Sequence, residues 1–303
     1  MHKKIPVILD VDTGIDDAVS IMIALKSKKL DVKLINTCSG NTTLNNVVDN
    51  TLDILCALRE SKISVAKGAE QSLSEANEHV SAHGADGLGG WEIKSGLKPL
   101  KTNAIESTHE ILKNATEPIT YICLAPLTNL ANLISAYPED VGKIKEVVLM
   151  IASNQQLQKN ELPYREFNVA IDPIACDIVL KSDLKKVVVS MEMGHTAYLE
   201  WQEVYKTKQT NNFGETLEKM YRKYNDFHVK NGIATHDGCA VAYVVNPELF
   251  ELKPACLKIK NFSEDNIGRA VVDYSASPNV TITTGVNVKK FKKLYFDCLK
   301  RVR

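Results

Sequence analysis

The chain has 303 residues, 44% hydrophobic and 24% charged, and its 37 basic and 37 acidic side chains give a formal net charge of zero. That length holds one large α/β domain or two small ones, and the balanced charge argues against a nucleic-acid binder that neutralises phosphates. No run approaches the roughly 20 apolar residues of a membrane-spanning helix. Residues 1–9 run into Asp10 without a small-residue cleavage site, so they read as a first strand and not a signal peptide. Seven cysteines lie scattered without a C-x-x-C pair, and most (Cys38, Cys56, Cys123, Cys176, Cys239) sit in apolar runs. This suits reduced, buried thiols and a cytoplasmic location.

In chain order, residues 5–11 predict a strand, 16–28 a helix and 31–38 a second strand. Leu44, Val47, Val48, Leu52 and Leu55 recur with helical spacing. A short strand is expected at 63–66, a glycine-rich loop at 83–90, a helix near 104–113, a strand at 119–124 and a helix at 127–136 stopped by Pro138. Strands at 146–151 and 186–190 flank a helix at 173–181. From about 200 to 230 the pattern is helical and rich in aromatics, and another helix covers 237–245. Three strand-like runs (255–259, 269–273, 280–284) precede a C-terminal helix. Strands alternating with helices imply an α/β single domain with a largely parallel open sheet, whose ligands sit at the carboxyl ends of the strands. Neither a repeat nor a linker interrupts it.

The strongest chemical signal is Asp10-Val11-Asp12-Thr13-Gly14-Ile15-Asp16-Asp17-Ala18, four carboxylates where an apolar strand gives way to a helix. So close together they repel and protonate unless a cation or donor groups hold them. Hard oxygen ligands favour Ca²⁺ or Mg²⁺ over zinc. Acids at a helix start are stabilised by the helix dipole, which accounts for Asp16 and Asp17 but not for Asp10 and Asp12. An EF-hand loop is excluded, because Ile21 falls where a bidentate acid is needed. Downstream stand Thr235-His236-Asp237, Arg165-Glu166-Phe167-Asn168 with Asp172-Pro173, and Ser39-Gly40-Asn41.

Together these segments resemble the inosine–uridine-preferring nucleoside hydrolase family, whose opening D-x-D-x-G-x-D-D-A motif is matched at Asp10, Asp12, Gly14, Asp16, Asp17 and Ala18. The likeness continues through Gly40-Asn41, His83-Gly84, Pro126-Leu127-Thr128-Asn129, residues 145–150, Glu166-Phe167-Asn168, Asp172-Pro173 and His236-Asp237, and so spans essentially the whole chain. The resemblance implies a Ca²⁺-dependent enzyme that hydrolyses the N-glycosidic bond of ribonucleosides to free base and ribose. It further implies Ca²⁺ ligands at Asp12, Asp17, Asp237 and the backbone carbonyl of Leu124, with Asp12 as the general base toward water. Asp16, Asn168 and Asp237 match groups on the ribose 2′- and 3′-hydroxyls, and Glu166 and Asn160 match groups near the 5′-hydroxyl. Asn41 supports the metal and the water. His236 matches the histidine that protonates the departing base, and His83 lies near that base. Tyr224, twelve residues before His236, has the spacing of the family's base-contacting tyrosine. The neighbouring Tyr221, Phe227 and His228 fit a core stripe or a mobile flap equally well. The expected partner is a small-molecule ribonucleoside, with no nucleic acid and no membrane, in a homodimer or homotetramer.

The chain departs from the family at three places. Thr13 replaces a common proline, Gly238 follows the His-Asp pair, and Ile151-Ala152-Ser153 stands where many members have a run of glycines, which puts the 5′ side in question. Two other functions compete. One is a haloacid-dehalogenase-like phosphatase using Asp10 as nucleophile, which leaves His236-Asp237 unexplained. The other is a non-catalytic nucleoside or ribose binder on the same scaffold, which has no need of a base at Asp12.

Overall fold

The structure is a computed structural model that describes residues 3–74, 81–90, 94–155, 164–224, 229–260 and 269–303. The apolar runs form β1 (Ile5–Val11), β2 (Leu30–Thr37), β3 (Val65–Lys67), β4 (Ile119–Cys123), β5 (Ile144–Met150), β6 (Lys186–Val189), β7 (Leu199–Glu200), β8 (Gly232–Ile233), β9 (Phe250–Ile259), β10 (Ala270–Asp273) and β11 (Val280–Val286). Nine of them make one sheet in the order β10-β9-β11-β6-β5-β4-β1-β2-β3, and β7 and β8 pair separately. From β11 to β3 every pairing is parallel, and β9 and β10 close the far edge antiparallel. The strand order reverses between β1 and β4, and open α/β sheets bind ligands beyond the carboxyl ends of the strands at such a point.

The helices are α1 (Ile15–Lys26), α2 (Leu44–Ala57), α3 (Ala104–Lys113), α4 (Thr128–Ala136), α5 (Phe167–Ile171), α6 (Pro173–Lys181), α7 (Met191–Thr196), α8 (Trp201–Lys208), α9 (Asn212–Tyr221), α10 (His236–Val245) and α11 (Val288–Leu299). The parallel strands are buried on both faces, so their side chains divide between two cores. Val7, Leu9 and Val11 join α1, α2, α10 and α11 on one side. Ile8 joins α3, α4 and α6 on the other. In α1 all residues from Ile15 to Ala24 are buried, carboxylates included, because α10 and α11 cover the side turned away from the sheet. The charged groups at its start therefore face protein and not bulk water. Among the described residues no helix is long and apolar enough to cross a membrane.

The expected helical stretch over 200–230 is broken in two, since Asn211 caps α9 by accepting from Gly214 N at 2.9 Å and its Nδ2 donates to Leu299 O at 2.7 Å. β9 begins at Phe250 and not at 255, because pairing with β11 extends it through residues 251–254, which are exposed and carry no apolar alternation to signal a strand. β3 starts two residues later than expected and ends one later, at Val65–Lys67, in register with β2.

Candidate active site

Asp10 closes the carboxyl end of β1 with a fully buried side chain. Its Oδ1 accepts from Asn129 Nδ2 at 2.8 Å and its Oδ2 from the Tyr121 hydroxyl at 2.8 Å. Asn129 also donates to Thr37 O at 3.0 Å and accepts from Ala69 N at 2.8 Å, so the network ties β1 to its neighbours. Burial pushes the Asp10 carboxyl up to about 6 even though these donors pull it down. A nucleophile attacking phosphorus needs an oxygen open to its substrate. Asp10 has none, which removes the geometric basis for the phosphatase reading.

Asp12 and Asp17 are buried just beyond β1 and in the first turn of α1. Asn41 N donates to Asp12 Oδ2 at 2.8 Å, and Asn41 Nδ2 reaches Asp17 Oδ2 at 3.5 Å. A Cβ on Gly40 would collide with the Asp12 carboxylate, so only glycine lets this turn after β2 approach so closely. Gly14 N donates to Asp17 Oδ2 at 2.8 Å, while Asp17 Oδ1 is buried with no hydrogen-bond partner among the described residues. Carboxylate oxygens of Asp16, Asp17 and Asp237 lie within 4.8 Å of one another, brought together by the starts of α1 and α10. Burial, and then repulsion among these acids, raises the Asp17 and Asp237 carboxyls well above the usual range, and burial likewise raises Asp12. An orphaned buried oxygen beside like charges fits a bound hard cation, which supplies the missing partner and offsets the repulsion.

Beyond β4 the Leu124 carbonyl accepts from Asn168 Nδ2 at 2.9 Å, and the same amide donates to Met150 O at 2.9 Å. Both amide protons are thereby engaged, and Oδ1 remains as the acceptor of that side chain. Glu166 caps α5, and its carboxylate accepts from Asn168 N at 2.9 Å, Val169 N at 3.0 Å and Ala152 N at 3.1 Å. These donors lower its pKa, but burial outweighs them and the carboxyl lies above its ordinary value. Glu166 is therefore largely committed to backbone amides. Ala152 adopts the left-handed conformation at φ 62°, so the chain keeps here the backbone shape that a glycine would take.

His83 Nδ1 accepts from Ile15 N at 3.0 Å, which fixes a neutral ring with its proton on Nε2. The Tyr224 ring lies 4.9 Å from it, tilted by 45°. Tyr221, by contrast, is fully buried and its hydroxyl meets that of Tyr295 at 3.1 Å, so of the aromatic stripe Tyr221 is core and Tyr224 lines the histidine. His236 opens α10, its Nδ1–H donates to Met191 O at 3.0 Å, and its ring meets His195 edge-on at 4.8 Å. His195 and α7 were not singled out from the sequence, because a six-residue helix carries too little periodicity to register. Asn160, Phe227 and His228 lie outside the described residues. Of the other expected site residues, Asn41 touches Asp12 and Asp17, His83 meets Ile15 and Tyr224, Asn168 meets the Leu124 carbonyl, and Asp237 lies beside Asp16 and Asp17.

Comparison with known proteins gives a consistent result. The family model described as "Inosine-uridine preferring nucleoside hydrolase" matches residues 7–293. The non-specific ribonucleoside hydrolase RihC of Escherichia coli is 32% identical over 305 residues, covering 99% of this chain and 99% of that protein. A plant nucleoside hydrolase structure superposes with a TM-score of 0.90 at 26% identity, over 99% of this chain and 100% of that one. A purine-preferring ribonucleoside hydrolase from Gardnerella vaginalis shares the fold, with a TM-score of 0.88 at 24% identity over 98% of each chain.

Proposed function

The chain belongs to the inosine-uridine preferring nucleoside hydrolase family and hydrolyses ribonucleosides, and on that premise we propose how its own residues perform the cleavage. Asp12, Asp17, Asp237 and the Leu124 carbonyl would hold a calcium ion. When bound, it would supply Lewis-acid polarisation that lowers the pKa of water. Asp12 takes the proton from the attacking water. Asp16, Asn168 and Asp237 hold the 2′- and 3′-hydroxyls, so sugar and nucleophile meet in a fixed geometry. N-glycosidic cleavage passes through an oxocarbenium-like ribose, and the buried acids stabilise that positive charge. His236 gives a proton to the departing base, with His83 and Tyr224 beside it. Asn41 holds both Asp12 and Asp17, whereas Glu166 and Asn160 serve the 5′ side. The enzyme works as a cytoplasmic homodimer or homotetramer.

The observation that carries this reading is the Asp17 oxygen left without a partner among the described residues, beside Asp16 and Asp237. Its test is discrimination at the diol. Removing the 2′-hydroxyl leaves buried acceptors unmatched, so kcat/KM for 2′-deoxyinosine should fall about 10⁴-fold below that for inosine. Equal rates on the two would contradict the assignment of Asp16, Asn168 and Asp237.

A further inference from the structure

A chain of backbone hydrogen bonds leads from Glu166 to His236. Glu166 Oε2 accepts from Ala152 N at 3.1 Å, Ala152 O accepts from Met191 N at 3.1 Å, and Met191 O accepts from His236 Nδ1 at 3.0 Å. The middle link exists because Ala152 stands at φ 62°, a conformation that aims its N–H and its C=O at these two partners. α7 is stapled to the same loop by Glu192, which accepts from the Ser153 hydroxyl and from Asn154 N, the latter at 2.9 Å. Asn154 Nδ2 in turn donates to Thr283 O at 2.7 Å, anchoring the loop on β11. Finally, Gly194 packs directly on His236, where a Cβ would collide with the ring Nδ1 and with the backbone N and Cα of the histidine.

We propose that α7 and the 151–154 loop form a cradle that positions His236 for proton transfer, with Met191, Ala152, Glu192 and Gly194 as positioning residues. This rests on the reading of His236 as the acid that protonates the departing base. A carbonyl oxygen can only accept, so Met191 fixes the proton on Nδ1 and leaves Nε2 as the nitrogen that exchanges a proton with the ligand. In the step itself the C1′–N bond breaks and its electron pair passes to the base, whose ring nitrogen takes the proton from Nε2. The water oxygen bonds to C1′ and its proton goes to Asp12. His236 ends neutral, with Nδ1–H still on Met191. The Ile151-Ala152-Ser153 departure thus has a role at the leaving-group side: it replaces a flexible glycine run with a loop held by side-chain contacts.

The test compares two substrates in the same protein. Inosine needs its base protonated, whereas p-nitrophenyl β-D-ribofuranoside releases a nitrophenolate that leaves as a stable anion. Gly194→Ala, which presses on the ring and the backbone of His236, should lower kcat on inosine by about 10²-fold more than kcat on the nitrophenyl riboside. Glu192→Ala, milder for folding because Glu192 is only partly buried, should show the same selectivity with about a tenfold loss on inosine. His236→Ala serves as the reference for the reading itself. Selective loss in His236→Ala with equal losses on both substrates in Gly194→Ala and Glu192→Ala overturns the cradle alone. Equal losses in His236→Ala overturn the cradle together with the assignment of the acid.

Discussion

Asp12→Asn should lower kcat on inosine by about 10² to 10⁴-fold, the range a positioned base contributes, while the protein stays folded. The substitution is nearly isosteric, and a carboxamide oxygen can still accept from Asn41 N, which lies 2.8 Å from Asp12 Oδ2. What disappears is one negative charge in a buried, mutually repelling cluster. The chelated variant should therefore unfold at the same temperature as the chelated parent or higher, with the activity loss standing apart from any loss of stability. Thermal unfolding beside steady-state turnover separates the two quantities. Surviving turnover would mean that Asp12 is not the base, and would reopen the binder reading, under which nothing at this position need be a base.

Exhaustive chelation should abolish turnover and also lower stability. A ligand held only by the native state stabilises it by about 3 kcal/mol at 100 times its dissociation constant, so adding Ca²⁺ back should restore several degrees of melting temperature. The pH dependence of the chelated protein provides a second readout. Asp12, Asp17 and Asp237 have native pKa values raised above their unfolded ones, first by burial and then by their neighbours' charges. Asp10, raised to about 6, adds to the same trend through burial. A group raised in this way binds more protons in the native state than in the unfolded one. Its contribution is present below the unfolded pKa and lost as pH rises through the native pKa. Lowering the pH from neutral through about 6 should therefore stabilise the chelated protein. In the calcium-loaded protein the same acidification should cost stability, since protons then compete with the cation. Identical pH profiles with and without Ca²⁺ would show that no cation couples to these carboxylates.

Much of this arrangement was legible in the sequence, for identifiable reasons. The parallel sheet announced itself because strands buried on both faces are continuous apolar runs, as in Val7-Ile8-Leu9 and Val147-Val148-Leu149. Four acids at the β1–α1 junction pointed to a cation, and only family resemblance linked them to the distant Asp237, which the fold brings beside Asp16 and Asp17. No local pattern says that α10 returns to lie against α1. The different fates of the four acids were hidden too: Asp10 is locked in a hydrogen-bond network between strands, a fact of three-dimensional packing. The three backbone amides that hold the Glu166 carboxylate were equally hidden, because they come from the turn after β5 and the start of α5. α7 escaped notice because six residues make fewer than two turns, although its Met191 carbonyl orients His236. The split between α8 and α9 depended on Asn211, whose capping role shows only once α9 and the end of α11 converge.

The central claim is hydrolysis of the N-glycosidic bond by water, and the most direct measurement follows both products from inosine and from uridine in phosphate-free buffer with Ca²⁺. Free base and reducing sugar should appear in equal amounts, with release that ceases on chelation and returns when Ca²⁺ is restored. No release from either nucleoside by folded, calcium-loaded protein, or release that requires inorganic phosphate, would contradict it.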